Sequence, residues 1–277
     1  MKKIVYALNP LKFKIRNLDF ISFICRQANS SLHVVFFENN MVDDIPDAII
    51  KQAAMDMGID DISKDLEALK QKISSANMLR FKTAWDNYGI PCYMHRNCNS
   101  PMEEMVLESR YADLIILDVS LSFSSHDESI PSDFVRKYLH HAECPVIILP
   151  VSFHGIEEIV FTYDGGESSI YAIKQFTHLF PMLSAYKAVV ISINPDNIEM
   201  EEKYKFREWM HGHYKSIDFQ TTAGNVGHGL VEMLHNRANV LVVLGAYGRS
   251  FISSFFNPSH ADPVLKWVGQ AIFIAHH

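Results

Sequence analysis

The sequence predicts a duplicated α/β fold: two tandem units, each a five-stranded parallel sheet with helices on both faces. Three observations lead there. Short unbroken apolar runs, such as Val34–Phe37, Leu114–Leu117 and Val240–Leu244, have the length and composition of strands buried on both sides. Segments of helical periodicity stand between them, which implies parallel strands joined by right-handed crossovers. The order of elements then begins again in register. Lys3-Ile-Val-Tyr-Ala-Leu-Asn9 matches Glu158-Ile-Val-Phe-Thr-Tyr-Asp164, and His33-Val-Val-Phe-Phe-Glu-Asn39 matches Ala188-Val-Val-Ile-Ser-Ile-Asn194, both at an offset of 155 residues.

In the first unit Lys3–Leu8 reads as a strand that stops at Asn9-Pro10. Leu18, Ile21, Cys25 and Ala28 share one helical face, with Asn17 as the expected N-cap. Val34–Phe37 is a strand. Met41–Tyr88 is helical in pattern, with Leu66, Leu69, Ile73 and Ala76 as its stripe. Pro91–Arg96 reads as an edge strand. Ser100-Pro101-Met102-Glu103 combines a capping serine, proline at N1 and glutamate at N3, a helix start. Leu114–Leu117, a helix over Phe134–Ala142 and a strand over Pro145–Leu149 complete the unit.

In the second unit Ile159–Tyr163 is a strand ending at Asp164-Gly165-Gly166. Ile173, Phe176, Phe180 and Leu183 mark a helix that Pro181 disturbs. Ala188–Ile193, a charged helix over Glu199–Tyr214, a strand over Ile217–Thr221, a helix striped by Val226, Leu230 and Leu234, then Val240–Leu244 and Ala271–Ala275 follow in turn. Past the second helix the offset between units falls from 155 to 126–127. The first unit therefore carries about 28 extra residues between Asn40 and Tyr93. The expected division is residues 1–152 and 153–277, with a helical insertion at about 41–90.

Composition agrees with two cores. The chain has 277 residues, enough for two domains of ordinary size. Apolar residues make up 48% and charged residues 21%, the balance of a globular protein. Net charge is −7 with no basic cluster, which argues against a nucleic-acid partner. No segment approaches the roughly 18 apolar residues of a membrane span. The apolar run after Met1-Lys2-Lys3 is too short for a signal peptide. Cys25, Cys92, Cys98 and Cys144 form no C-x-x-C pair, and are expected as reduced thiols in a cytoplasmic protein.

Ligands of such sheets bind beyond the carboxyl ends of strands, where strand order reverses. The loops after Tyr163 and Leu244 would face each other there. The second of them, Gly245 to Ser259, offers glycines that let a ligand approach the backbone, the guanidinium of Arg249 and a following helix start.

These residues resemble the universal stress protein superfamily in its tandem, two-domain form. The phosphate loop of that family reads G-x2-G-x9-G-[ST] just after the fourth strand. Gly245, Gly248 and Pro258-Ser259 occupy the frame without a gap. A first strand ending in Asp164-Gly165 is also similar, as is the run Ala142-Glu-Cys-Pro-Val-Ile-Ile-Leu149. The resemblance covers nearly the whole chain apart from Met41–Tyr88. It implies two Rossmann-like, adenine nucleotide alpha hydrolase-like domains and an adenine nucleotide (ATP, ADP or AMP). Asp164 would sit near the adenosine, and Ile193 would offer backbone groups to the adenine edge. Gly245, Gly248 and Arg249 would line the ribose and phosphates, and Ser259 would bond a phosphate. It also implies that Pro145–Leu149 and Ala271–Ala275 pair edge to edge, an intramolecular pseudo-dimer of the two domains. A homodimer of chains is compatible with it.

The departures matter. Pro258 stands where the family has its third glycine, and removes one N–H donor. In the first unit Asp118 and Leu121 replace the first two glycines, Asn9 replaces Asp164, and Pro131-Ser132 matches Pro258-Ser259. A carboxylate at Asp118 would repel a polyphosphate. The expectation is a stress-response regulatory module that binds nucleotide in its second domain only. The alternative is a scaffold of the same fold that binds none, with the insertion as its partner-binding element. No paired general acid and base accompanies the loop, so catalysis beyond slow ATP hydrolysis is not expected.

Other candidates have simpler readings. His140-His141, His211, His213 and His276-His277 lack the spacing of a zinc site. Cys92 and Cys98 read as packing residues. Ser253 and Ser254 lack the G-x-S-x-G elbow of a hydrolase. Phe251, Phe255 and Phe256 read as an apolar plug of their own loop, and Glu199–Lys205 as a solvated helix face.

Overall fold

The computed structural model describes residues 2–12, 15–38, 55, 66–124, 126, 128–193, 195–222, 233–234, 237–245 and 269–275. The first half contains β1 (Lys3–Leu8), α1 (Leu18–Ala28), β2 (Ser31–Phe37), α2 (Leu66–Asp86), β3 (Cys92–Asn97), α3 (Pro101–Arg110), β4 (Leu114–Leu117), α4 (Asp133–His141) and β5 (Val146–Ile148). The second contains β6 (Glu158–Tyr163), α5 (Glu167–Leu179), a 3-10 turn at Pro181–Ala185, β7 (Lys187–Ile193), a 3-10 turn at Pro195–Asn197, α6 (Met200–His213), β8 (Ile217–Thr222), β9 (Val240–Gly245) and β10 (Ala271–Ala275). The alternation of strand and helix expected from the sequence is present throughout the first half and from β6 to β8 in the second, whose later connections lie largely outside the described residues.

The strands form one ten-stranded sheet in the order β3-β2-β1-β4-β5-β10-β9-β6-β7-β8. Each half is a parallel five-stranded sheet, and its order reverses between its first and fourth strands. The halves join where β5 meets β10 antiparallel, with Ile148 opposite Ile272 and Val146 opposite Ile274. This is the edge-to-edge pairing that the family resemblance implies, and it covers two edges that would otherwise be open. The central strands β4, β9 and β10 are buried along their whole length, as their unbroken apolar sequences require. The outer strands β3 and β8 carry Tyr93, His95, Arg96, Asp218 and Gln220, and are the least buried. The division at residues 152/153 is kept as a proposal; it falls between β5 and β6.

Two apolar layers flank the sheet. One lies under α1, α2, α5 and α6 and runs through both halves, from Phe36, Phe81 and Trp85 to Phe176, Met210 and Phe273. The other lies under α3 and α4, around Met105, Tyr138, Leu139 and Val242. Between the halves Phe153 packs edge-on against Phe20 at 5.3 Å and beside Phe23 at 5.5 Å. Lys2 donates to the carbonyl of His178 at 3.1 Å, at the carboxyl end of α5, where cations are favoured.

Several local expectations need correction. Asn17 does not cap α1 with its side chain. Its backbone is left-handed, φ 57°, and its Nδ2 donates to the Pro150 carbonyl instead, fastening α1 to the segment after β5. Ser100 precedes α3 but its hydroxyl makes no capping bond; Glu104 uses its carboxylate to hold Asn97 and Asn99. The buried residues of α2 are Leu69, Lys70, Ser74, Phe81 and Trp85, whereas Ile73 is half-buried and Ala76 exposed. The helix itself is the crossover between β2 and β3, the counterpart of α6. The additional chain lies before it: 28 residues (38–65) separate β2 from α2, against six (194–199) between β7 and α6. Residues 39–54 and 56–65, and Val226 and Leu230, lie outside the described residues. Pro181 does end α5, and the 3-10 turn follows it.

Candidate functional site

The second half presents a crevice at the carboxyl ends of β6 and β9. These are neighbouring parallel strands, with Phe161 opposite Val243. Strand order reverses between them, because β7 and β8 lie on one side and β10 on the other. Thr162 ties the two strands together, its hydroxyl donating to the Val243 carbonyl at 3.2 Å. Asp164 follows β6 directly and Gly245 ends β9, so the topology brings these two candidate residues to one place.

The turn after β6 is built by its own sequence. The Asp164 carboxylate accepts from the Gly166 N–H at 2.9 Å, an Asx turn. Gly165 has φ +83°, which favours glycine, and faces Ile198, whose Cγ1 and Cγ2 would lie 3.1 Å from any Cβ placed there. Gly166 is then the N-cap of α5 and accepts from the Ser169 hydroxyl at 2.8 Å. The first turn of α5, which carries Glu167, therefore follows directly on the loop that borders the crevice.

Gly245 makes a close contact within the protein that the sequence did not suggest. A Cβ on Gly245 would stand 2.5 Å from Ser169 Cα and N and 2.6 Å from the Ser168 carbonyl carbon. The space left by the missing side chain is filled by the backbone of α5. Sequence reasoning missed this contact and the α5 N-terminus; the signal available was Asp164-Gly165-Gly166, two glycines before a helical stripe. Ile193 ends β7 opposite Thr222, at the same end of the sheet. Gly248, Arg249 and Ser259 lie outside the described residues, as do Phe251, Phe255, Phe256 and Pro258.

The equivalent place in the first half is closed. Asn9 is buried at the end of β1; its Nδ2 donates to the Ser122 carbonyl at 2.8 Å and its Oδ1 accepts from the Leu11 N–H at 2.9 Å. The chain after β4 is thus drawn across the end of β1, and Val119, Leu121 and Phe123 sink into the apolar layer with Ala7, Phe37 and Val135. Phe123 packs edge-on against Phe134 at 4.6 Å. Asp118 accepts from the Ser120 N–H at 2.8 Å and from its hydroxyl at 2.6 Å. Ser132, the counterpart of Ser259, caps α4 by accepting from the Val135 N–H at 3.1 Å. At the end of β2 Glu38, the counterpart of Ile193, holds Arg96 through two bonds of 2.9 Å. Charge repulsion by Asp118 was the expected obstacle. The obstacle the structure displays is apolar filling.

Among the described residues no group of three or more His, Cys, Asp or Glu side chains is placed to hold a metal ion. None of the described helices is long and apolar enough to cross a membrane. All four cysteines are unbridged.

No family model matches the chain and no curated protein matches it. Solved structures do. A universal stress protein from Archaeoglobus fulgidus DSM 4304 superposes with a TM-score of 0.66 at 12% identity, over 99% of this chain and 96% of that one. A functionally unknown protein from Pseudomonas aeruginosa PAO1 gives 0.57 at 13% identity, over 100% and 92%. A protein described as a universal stress protein from Pseudomonas aeruginosa UCBPP-PA14 gives 0.56 at 13%, over 100% and 93%. At these identities the likeness establishes the fold, over nearly the full length of both partners. The chain has the two-domain universal stress protein fold.

Proposed function

We propose that the chain is a tandem universal stress protein, a stress-response regulatory module that binds one adenine nucleotide, in its second half. The observation that carries the reading is the placement of Asp164 and Gly245 at the carboxyl ends of β6 and β9, where strand order reverses, set against the closed counterpart at Asn9. Asp164 and the Ile193 backbone would hold the adenosine, while Gly248, Arg249 and Ser259 would take the phosphates. Gly245 would serve indirectly, by letting the first turn of α5 approach the crevice. Ser132 uses its hydroxyl to cap a helix, so Ser259 is expected to cap as well, offering the phosphate its N–H in place of its Oγ. ATP, ADP and AMP are the candidate ligands.

A second reading, a scaffold of the same fold with no nucleotide, draws on Pro258, which lacks the N–H of the glycine it replaces. Calorimetric titration with ATP separates the two. The first reading expects saturable binding that Arg249→Ala weakens by roughly tenfold, the loss of a charge-assisted bond. Undetectable binding by the native chain leaves the scaffold.

A further inference from the structure

β8 ends the sheet on the side of the second half and pairs with β7 alone. The Ala188 N–H donates to the Ser216 carbonyl at 2.9 Å, so the parallel ladder turns the backbone groups of Ile217, Phe219 and Thr221 away from β7. The N–H and C=O of these three residues line the outer edge, with no partner among the described residues. Such an edge is a template for one more strand.

A row of cations runs beside it. The side chains of Phe219 and Thr221 point to the sheet face that α6 covers. The Arg207 guanidinium lies 4.4 Å from the centre of the Phe219 ring, and the His211 ring 6.0 Å from it. Lys203 shares the wall of one small cavity with Phe219 and Thr221. Lys203, Arg207 and His211 are each four residues apart, a step of about 6 Å along a helix. Side chains on one face of a strand repeat every 6.6–6.8 Å or so, roughly the same interval. A strand added to β8 would therefore meet a cation at every second residue. Lys205 is held by Glu201 at 2.6 Å, whereas Lys203 and Arg207 form no ion pair among the described residues. Glu208 stands about 100° round the helix from Arg207. The opposite sheet face carries the Asp218 carboxylate, which accepts from Gln220 at 2.7 Å.

We propose that β8 accepts an extended peptide segment of a partner protein, with carboxylates at every second position. Its backbone bonds the free edge, its carboxylates face Lys203, Arg207 and His211, and neutral side chains between them pass Asp218. Charge complementarity selects this occupant. Pairing β8 with a second copy of itself brings two cation rows together, and like charges across strands repel. The net charge of −7 disfavours nucleic acid. The site lies at the sheet edge and does not rest on the nucleotide reading.

The test is fluorescence polarisation of a labelled Thr-Glu-Thr-Glu-Thr-Glu-Thr peptide titrated with the full chain. Its isomer Thr-Thr-Glu-Glu-Glu-Thr-Thr has the same charge without the alternation. One saturable site per chain is expected, with the isomer at least about fivefold weaker. Two further peptides are methylated on the backbone nitrogens of all glutamates or of all threonines. One of the two, set by strand direction, should lose binding, because its N–H groups bond the edge. Lys203→Gln and Arg207→Gln should each weaken the alternating peptide about threefold, the size of an exposed ion pair. Excess oligothymidylate should leave the peptide bound. Absence of saturable binding, equal affinity for the isomer, full binding by both methylated peptides, indifference to both substitutions, or displacement by oligothymidylate would overturn the assignment.

Discussion

The backbone of Ser169 occupies the space that a side chain on Gly245 would need. A Cβ there would stand 2.5 Å from both its Cα and its N. The close approach sets β9 against the first turn of α5, and so fixes the distance between the two loops that frame the crevice. A helix backbone cannot step aside as a flexible side chain can.

Gly245→Ala should therefore destabilise the chain by about 1–3 kcal/mol, the usual range for overpacking a filled site. In a domain of this size that is a fall of roughly 2–4 °C in Tm for each kcal/mol. Thermal unfolding of the two proteins measures it. An unchanged Tm would mean that α5 slides freely on β9.

Asn9 closes the first half by bonding on both sides, to Ser122 and Leu11. Asn9→Ala leaves a buried carbonyl and a buried N–H without partners, which costs about 1–3 kcal/mol for each group left unpaired. The loss should be local as well as global, with faster hydrogen exchange over Val119–Phe123. Denaturant midpoints and exchange mapped by mass spectrometry read the two effects. Native-like exchange there would remove Asn9 from its role as the latch.

Glu158 sits where β6 begins, held by Lys187 at 2.5 Å and by Arg237. Burial pushes its pKa up, but the hydrogen bond and charge of Lys187 and the charge of Arg237 outweigh it and hold the carboxyl below its ordinary value of 4.5. A depressed carboxylate contributes stability that is present above the unfolded value and is lost as pH falls through the lower, folded one. Unfolding midpoints measured between about pH 6 and about pH 3 should fall more steeply at the acid end in the native chain than in Glu158→Gln. Parallel curves would show that the pair is not coupled to folding.

The strands were legible because strands buried on both faces have no polar alternation to obscure them; Leu114–Leu117 and Val240–Leu244 appear as runs and fold as runs. Duplication was legible for the same reason, since β1 with β2 and β6 with β7 kept one offset. Side-chain roles were less so. Ser74 is a buried position of α2 because its hydroxyl reaches Glu38, a partner 36 residues away, so the stripe could not be drawn from apolar residues alone. Asn17 has the chemistry of a cap, yet its amide serves Pro150, a partner that only the fold supplies. Gly245 announced a special backbone position, but whether ligand or helix fills the gap depends on contacts far apart in sequence. Asp118 drew attention as a charge, while the residues that fill the first crevice, Leu121 and Phe123, carried no pattern that set them apart from an ordinary loop.

Crystallography of the chain grown with ATP addresses the asymmetry between the halves most directly. The account predicts nucleotide density at one place, between Asp164 and the end of β9, and none beside Asn9. Density at both places, or beside Asn9 alone, would contradict it, as would a map of the second half in which loop residues 246–259 fill the crevice themselves.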